Sequence, residues 1–478
     1  MRPPGRAGLS MLPLTLAEIA HICSGRLVDG DPAATVRAVS IDSRTVNPGD
    51  LFIGLRGERF DGDAYAAAAL AAGAVAVVVR PETAAALPLG AAHVVVHDGL
   101  AALTALAAGV RRRSMARVVA ITGSAGKTST KDILAALLRP VSEVVATRGN
   151  FNNEVGLPLT LLAVEPQTEV VVCELAMRGR GQIAHLARVA GPNVGIITNI
   201  APVHLELVGT VEAVAEAKAE LLDELGPGTA ILPVDEPLLE PYAQRHRGRV
   251  VTFGPGGDVS LVEASSRDGG THALIDAFGR RASLWFNFCG DHYLTDALAA
   301  LGAFLELGYP LADARHGAGS VSFSEHRGEV VTLADDGLLL NDAYNANPLA
   351  MVAALDHLVD LAAGRPAVAV LGDMYELGPQ AAGFHREVGL HAAECGVQVL
   401  AVGTLARDYL VGAPGEAWYP SVEACLAALP AALPKGCTVL VKASRGLRLE
   451  RVSEWLKQTL GVAAGCSAPG ARREGSCD

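Results

Sequence analysis

Apolar residues along this chain gather in short Val- and Ile-rich runs, and between the runs they recur every three or four positions. The runs read as buried strands of parallel sheets, and the intervening stretches as helices laid over them. Residues 14–113 predict a helix near 16–23, strands over 36–41 and 51–55, an alanine-rich helix over 64–72, and strands over 75–79 and 94–97. A second unit places strands over 117–122, 141–146, 169–174 and 194–198, with 127–138 as the helix behind the first of them. Residues 228–288 turn β-rich and glycine-punctuated before a helix over 293–307. A third unit begins near 323–328 with a hairpin over 330–341. It continues with strands over 367–371, 397–402 and 438–442 and helices over 348–361, 383–395, 422–433 and 449–460. Strand–helix alternation of this kind implies parallel sheets. The predicted fold is α/β in three domains, 1–113, 114–325 and 326–462, the last Rossmann-like, with a disordered tail over 463–478. The third domain lacks GxGxxG, so its rhythm implies no dinucleotide.

Half of the 478 residues are hydrophobic but only 4% are aromatic, which predicts aliphatic helix-on-sheet cores. A formal charge of -12 leaves no basic stripe to neutralise phosphates, so no nucleic acid is expected as a partner. Arg111, Arg112 and Arg113 form an isolated run that reads as a solvated helix end. The eight cysteines, Cys23, Cys173, Cys289, Cys395, Cys425, Cys437, Cys466 and Cys477, show no CxxC or Cys/His ligand spacing and read as reduced thiols. No apolar run is long enough to span a bilayer, and residues 1–20 lack a signal-peptide pattern. A cytoplasmic protein is expected, with disordered ends over 1–10 and 462–478 and Met11 as an alternative start.

The strongest local signal is AITGSAGKTST, residues 120–130, where a glycine-rich turn joins the strand over 117–122 to the helix over 127–138. Gly123, Ser124, Ala125, Gly126, Lys127, Thr128 and Ser129 present backbone N–H groups at a helix N-terminus, which suits a polyphosphate. Lys127 adds a point charge, and the Thr128 hydroxyl can reach Mg2+. The spacing is GxxGKT, shorter than the commoner GxxxxGK[ST], and it reads as chemistry on ATP carried by a P-loop ATPase-like central sheet. In an open parallel sheet, ligands sit beyond the carboxyl ends of the strands. Glu174 closes VVVCE and Asn199 closes GIITN, with His204 five residues on, so these groups are expected on the rim that carries the loop.

In TVEAVAEAKAELLDEL, Lys218 lies on the apolar stripe four residues from both Val214 and Leu222, while Glu212, Glu216 and Glu220 face elsewhere. Two readings stand. One is a lysine snorkelling from the edge of the stripe; the other is a lysine held against protein, readily deprotonated and open to covalent modification. Asn152, Asn153 and Glu154 follow a turn at Gly149 and read either as turn chemistry or as ligand contacts. Asp42, Ser43 and Arg44, with the loop over 57–62, read either as surface turns or as a cradle for a phosphorylated, sugar-like ligand.

Taken in order, GSAGKTSTK, NFNNEVGLPLTLL, ELAMRGRGQIAHLA, IITNIAPVHLELVGT with AEAKAEL, NDAYNANPLAM, VLGDMYELG and VKASRGLRLERV resemble the bacterial Mur ligases, with the likeness spanning about 36–456. SIDSRTVNPGDLFIGLRGERFDG, NDAYNANP and GDMYELG most resemble the member that adds D-alanyl-D-alanine. The resemblance implies a UDP-N-acetylmuramoyl-peptide domain over 1–113, an ATP-binding domain over 114–325 and a ligase domain over 326–462. It implies a monomeric, ADP-forming amide ligase of peptidoglycan precursor synthesis, with UDP-N-acetylmuramoyl-tripeptide and D-alanyl-D-alanine as substrates. Lys218 matches the family's carbamylated lysine, and with Thr128, Glu174 and His204 it is implied to hold Mg2+. The chemistry is consistent, since CO2 adds only to a neutral amine and a carbamate is an anion suited to a hard cation. Ser43 and Arg44 match the uridine-nucleotide side, and Asn152 and Asn153 are grouped with the substrate contacts. Asp342, Tyr344, Asn345 and Asn347 match the hinge-side motif, with Asn345 on the nucleotide base, and Ser444 and Arg445 match the substrate end.

A carboxylate is a poor electrophile, so the implied reaction first moves the γ-phosphoryl group of ATP to the tripeptide's terminal carboxylate. The amine of D-alanyl-D-alanine then attacks the acyl phosphate and phosphate leaves. Lys127, with Arg327 of SEHRGE, is implied to neutralise the transferring group, giving Lys127, Lys218, His204 and Arg327 as the catalytic set. The sequence departs from the family pattern at Ser129, where a second threonine is usual, at Leu175, where a glycine is usual, and at Gln182, where a glutamate is usual. It departs again at Asp296, where an asparagine is typical. Three other readings remain: a sister ligase adding one amino acid, a folylpolyglutamate-synthase-like ligase, and a noncatalytic nucleotide-binding scaffold. The first domain weighs against the folate enzyme. Lys127, Glu174, His204 and Lys218 together weigh against the scaffold.

Overall fold

The computed structural model describes residues 9–267, 269–411 and 417–462. The tail predicted over 463–478, with Cys466 and Cys477, lies outside the described residues. The first strand, Leu9–Thr15, begins inside the segment expected to be a disordered end and holds Met11 buried. One compact unit runs to Ser324 and takes in Glu376–Gly378; the second comprises Glu325–Tyr375 and the residues from Pro379 onward. No helix among the described residues is long and apolar enough to cross a membrane.

The first unit holds two sheets. The smaller runs in the order Leu9–Thr15, Thr35–Ser40, Leu51–Ile53, Ala76–Val79, His93–Val95, Arg26–Val28, parallel through its middle and antiparallel at both edges. The larger has a parallel core in the order Val250–Phe253, Thr229–Pro233, Val194–Ile197, Arg117–Thr122, Val170–Glu174, Val144–Ala146. Three further strands, Val259–Arg267, Gly270–Ala277 and Arg280–Phe286, extend it as an antiparallel meander beside Val250–Phe253.

Side chains alternate between the faces of a strand. Val119 and Ile121 therefore pack with Ile133, Leu134 and Leu137 of the helix Lys127–Leu138, and with Ala297 and Leu301 of Asp291–Glu306. Gly195 faces the opposite way, where a Cβ would come within 3.2 Å of Leu221 and Leu225 on the helix Val211–Leu225. Coverage on both faces explains why the central strands are almost wholly apolar.

The second unit is a six-stranded sheet in the order Glu329–Thr332, Leu338–Asn341, Thr438–Lys442, Ala367–Gly372, Gln398–Val402, Ala417–Tyr419, parallel except for the opening hairpin. This is the Rossmann-like rhythm predicted.

The arginine run needs a correction. It ends the helix Gly99–Arg113, but Arg111 is not solvated there: its guanidinium donates to the carbonyls of Ala190 at 2.8 Å and Gly191 at 2.9 Å, the C-terminal end of the helix Gln182–Ala190.

Candidate active site

Three central strands of the larger sheet end together. Thr122 pairs with Ile197 and Ile121 with Glu174 in parallel register, so the glycine-rich loop, Glu174 and Thr198–Asn199 share one rim. The loop is tied to the neighbouring strand end: Ala125 N–H donates to Asn199 Oδ1 at 2.9 Å, Ser124 N–H to the Asn199 carbonyl at 3.1 Å, and Ser124 Oγ to the Ala201 carbonyl at 3.1 Å. Only glycine fits at two points. Gly123 has φ +150°, and a Cβ there would lie 1.8 Å from Thr198 Oγ1; Gly126 has φ +78°, and its Cβ would lie 2.3 Å from Asp296 Oδ1. Gly123→Ala is expected to unfold at a lower temperature, losing about 1–3 kcal/mol through backbone strain and overpacking, and to weaken nucleotide binding. Differential scanning fluorimetry with and without ADP tests this, and an unchanged melting curve with unchanged ligand response would contradict it.

Glu174, 1% exposed, anchors the next layer. Thr128 Oγ1 donates to its Oε2 at 2.8 Å, Asn152 Nδ2 donates to its Oε1 at 2.8 Å, and its own N–H donates to Thr147 Oγ1 at 3.1 Å. Thr128 stands in the first turn of the loop's helix, so a hydroxyl and a carboxylate oxygen face each other beside the phosphate-type loop.

Lys218 does not snorkel. It is 2% exposed, and its Nζ donates to the Gly123 carbonyl at 2.8 Å, the acceptor to which Lys127 Nζ also donates at 2.7 Å. Burial, and then the Lys127 charge, hold the Lys218 pKa well below its ordinary value. That lowering enlarges the neutral-amine fraction relative to a solvent-exposed lysine. His204 is half-buried at φ +54°, at the start of the short helix Leu205–Val208. Burial lowers its pKa despite the Glu376 carboxylate that meets its Nδ1, and the charges of Lys127 and Lys218 act in the same direction as burial.

Two departures from the family pattern meet in one contact, because Ser129 Oγ donates to the buried Asp296 Oδ2. Lys131, one turn beyond Lys127, was missed from sequence. It is 3% exposed, donates to the Thr147 carbonyl at 3.0 Å and pairs with Asp132 at 2.7 Å. Its only sequence signal is a cation one helical turn from Lys127, just before the apolar run that completes the helix. Asn153 Oδ1 accepts from Gly156 N–H at 3.0 Å, which is turn chemistry at the start of the helix Gly156–Leu161.

The other predicted residues stand on the smaller sheet of the first unit and in the second unit. Ser43 and Arg44 occupy the turn after the strand Thr35–Ser40 of the smaller sheet. Arg44 is largely exposed and forks onto Asp42, with Nε at 2.9 Å and Nη2 at 2.7 Å, which holds the Asp42 pKa down to about 2. In the second unit, buried Lys442 pairs with Asp342 Oδ2 and donates to the Asn345 carbonyl at 3.0 Å, a bridge that sequence reading did not find. Arg327 lies 4.1 Å from the centre of the Tyr344 ring and Arg445 5.5 Å from it, so two cations face one aromatic group. Ser444 is buried and its Oγ accepts from Tyr375 N–H at 2.9 Å.

Three family models match in succession: one described as Mur ligase family, catalytic domain, over residues 35–125, one as Mur ligase middle domain over 121–304, and one as Mur ligase, glutamate ligase domain, over 326–445. A UDP-N-acetylmuramoyl-tripeptide–D-alanyl-D-alanine ligase of Mycobacterium tuberculosis is 36% identical over 93% of this chain and 98% of its own length. The chain belongs to the Mur ligase family. Among solved Mur ligases, MurF from Acinetobacter baumannii matches with a TM-score of 0.86 at 29% identity, covering 94% of this chain and 100% of that one. MurF from Thermotoga maritima, in complex with ADP, matches with a TM-score of 0.77 at 30% identity, covering 88% of this chain and 97% of that one. The likeness runs the length of both partners, so it takes in all three sheets and not the nucleotide-type loop alone.

Proposed function

We propose that this Mur ligase joins D-alanyl-D-alanine to UDP-N-acetylmuramoyl-tripeptide, with ATP converted to ADP and phosphate, as a step of peptidoglycan precursor synthesis carried out by a cytoplasmic monomer. The observation that carries the reading is the grouping of half-buried Lys127 with buried Thr128, Glu174 and Lys218 around the loop Gly123–Gly126, in a chain that matches a D-alanyl-D-alanine-adding ligase over 93% of its length. We assign residues 1–113 to the nucleotide-sugar peptide, 114–325 to ATP and 326–462 to the ligase domain. Ser43 and Arg44 are assigned to the uridine nucleotide, and Asn345 to the adenine base. Asn152, Asn153, Asp342, Tyr344, Ser444 and Arg445 are assigned to the peptide substrates.

The donor set fits magnesium. Thr128 Oγ1 and Glu174 Oε2 are hard oxygen donors already 2.8 Å apart in a buried position. An ammonium group has no lone pair for a cation, and the nitrogen of a neutral amine is a poor donor for an ion that prefers oxygen, so Lys218 is assigned to join them as a carbamate, formed when its neutral nitrogen attacks CO2 and releases a proton. Thr128, Glu174, the Lys218 carbamate and His204 would hold the ion, which when bound supplies positive charge to the phosphoryl oxygens.

The chain's own groups account for the rest. The N–H groups that open the loop's helix cradle the phosphates with Lys127, those of Ser124 and Ala125 being held on Asn199, and Lys127 leaves the Gly123 carbonyl to meet the charge that builds on the transferring group. Arg327 is assigned to the same charge. The tripeptide carboxylate oxygen attacks the γ-phosphorus, the bond to the β-phosphate oxygen breaks, and ADP departs. The dipeptide's neutral amine then attacks the acyl carbon, the carbon–oxygen bond to phosphate breaks, and the nitrogen gives up a proton.

A phosphate-release assay with UDP-N-acetylmuramoyl-tripeptide and ATP tests the acceptor. D-alanyl-D-alanine is expected to support turnover, and free glutamate, lysine or diaminopimelate is not; turnover with one of those alone would assign a sister ligase.

A further inference from the structure

Outside the rim, Asp356, His391 and Cys395 bring three different metal-ligating atoms within 4.8 Å of one another. Asp356 lies on the helix Pro348–Ala362, while His391 and Cys395 stand one turn apart at the end of the helix Ala381–Glu394. His391 Nε2 lies 2.7 Å from Asp356 Oδ1 and 3.6 Å from Cys395 Sγ. Asp356 stands 35 residues before His391 and on another helix, so no local run of the sequence carries all three donors.

We propose that these residues form a binding site for a borderline-soft divalent transition metal, zinc being the fitting ion, which clips the two helices together. Imidazole nitrogen, sulfur and a single carboxylate oxygen make a donor set suited to zinc and unsuited to magnesium, which prefers oxygen alone. The surroundings are negative. Cys395 caps the C-terminal end of its helix, where the dipole favours a cation, and Glu394 adds a carboxylate beside the thiol. Half-exposed positions leave room for water as a fourth ligand. On binding, the Cys395 thiol gives its proton to solvent, the His391 proton resides on Nδ1 so that Nε2 offers its lone pair, and no electron is transferred.

The test uses the full-length, reduced and metal-stripped protein titrated with Co2+, followed by Zn2+. One equivalent of cobalt is expected to give a near-ultraviolet thiolate-to-cobalt charge-transfer band that zinc displaces, and zinc is expected to raise the melting temperature. Cys395→Ser keeps the Asp356–His391 pair, and with it the helix contact, but is expected to lose the band. His391→Ala is expected to weaken binding about tenfold or more. Circular dichroism confirms folding of both variants, and ligase turnover in magnesium is expected to match that of the parent. Absence of the band in the parent protein at stoichiometric cobalt would overturn the proposal. A band that persists in Cys395→Ser would do the same, by placing the metal on another cysteine.

Discussion

Replacing Lys218 by alanine is expected to lower ligase turnover by about 10³-fold, the scale seen when one preorganised group that stabilises developing charge is removed. The variant should remain folded. The buried amino group shares its Gly123 acceptor with Lys127, so its removal leaves that carbonyl with a donor and no partner unpaired. A readout independent of turnover is available. With 13C-bicarbonate, the parent protein is expected to show a carbamate carbon resonance that is missing from Lys218→Ala. The sign of its pH dependence follows from the lowered pKa. Burial and the Lys127 charge enlarge the neutral amine fraction near neutrality, and acidification protonates the amine and reverses the addition, so the signal should fall as pH falls. Full activity of Lys218→Ala in bicarbonate-free buffer would contradict this account.

Lys127→Met should be comparably severe. Its ammonium rests on the Gly123 carbonyl at 2.7 Å, within one side-chain swing of any phosphate seated on the loop, and a cation placed on a transferring phosphoryl group contributes about 10³-fold or more to such reactions. Loss is expected mainly in kcat, because the backbone N–H groups of the loop still bind the nucleotide. A variant that retained kcat but lost only affinity for ATP would show that the lysine acts in binding and not in the transfer.

The rim was legible in the sequence because each central strand is a short β-branched run that ends on a polar residue, and parallel topology then places those ends together. The burial of Lys218 was legible as a position on an apolar stripe, but its partner, the Gly123 carbonyl, lies 95 residues away and could not be read from periodicity. The same limit hid the Lys442–Asp342 pair, whose members are 100 residues apart, and the bridge from Lys131 to the Thr147 carbonyl. Composition misled at Arg111. Three adjacent arginines read as solvated, yet helical geometry turns the first of them onto the carbonyls that end another helix. Asn153 and Asn347 show a related ambiguity, since the side chains that suit a ligand also suit a turn, and here their carbonyl oxygens accept from Gly156 and Ala350 N–H groups at helix starts.

The central claim is that a carboxylate is activated as an acyl phosphate before the amide forms. Tripeptide substrate labelled with 18O in its terminal carboxylate, incubated with ATP and D-alanyl-D-alanine, tests it by mass spectrometry of the released phosphate. The account predicts one 18O atom carried into inorganic phosphate for each amide bond made, whereas unlabelled phosphate, or label found in AMP, would contradict it.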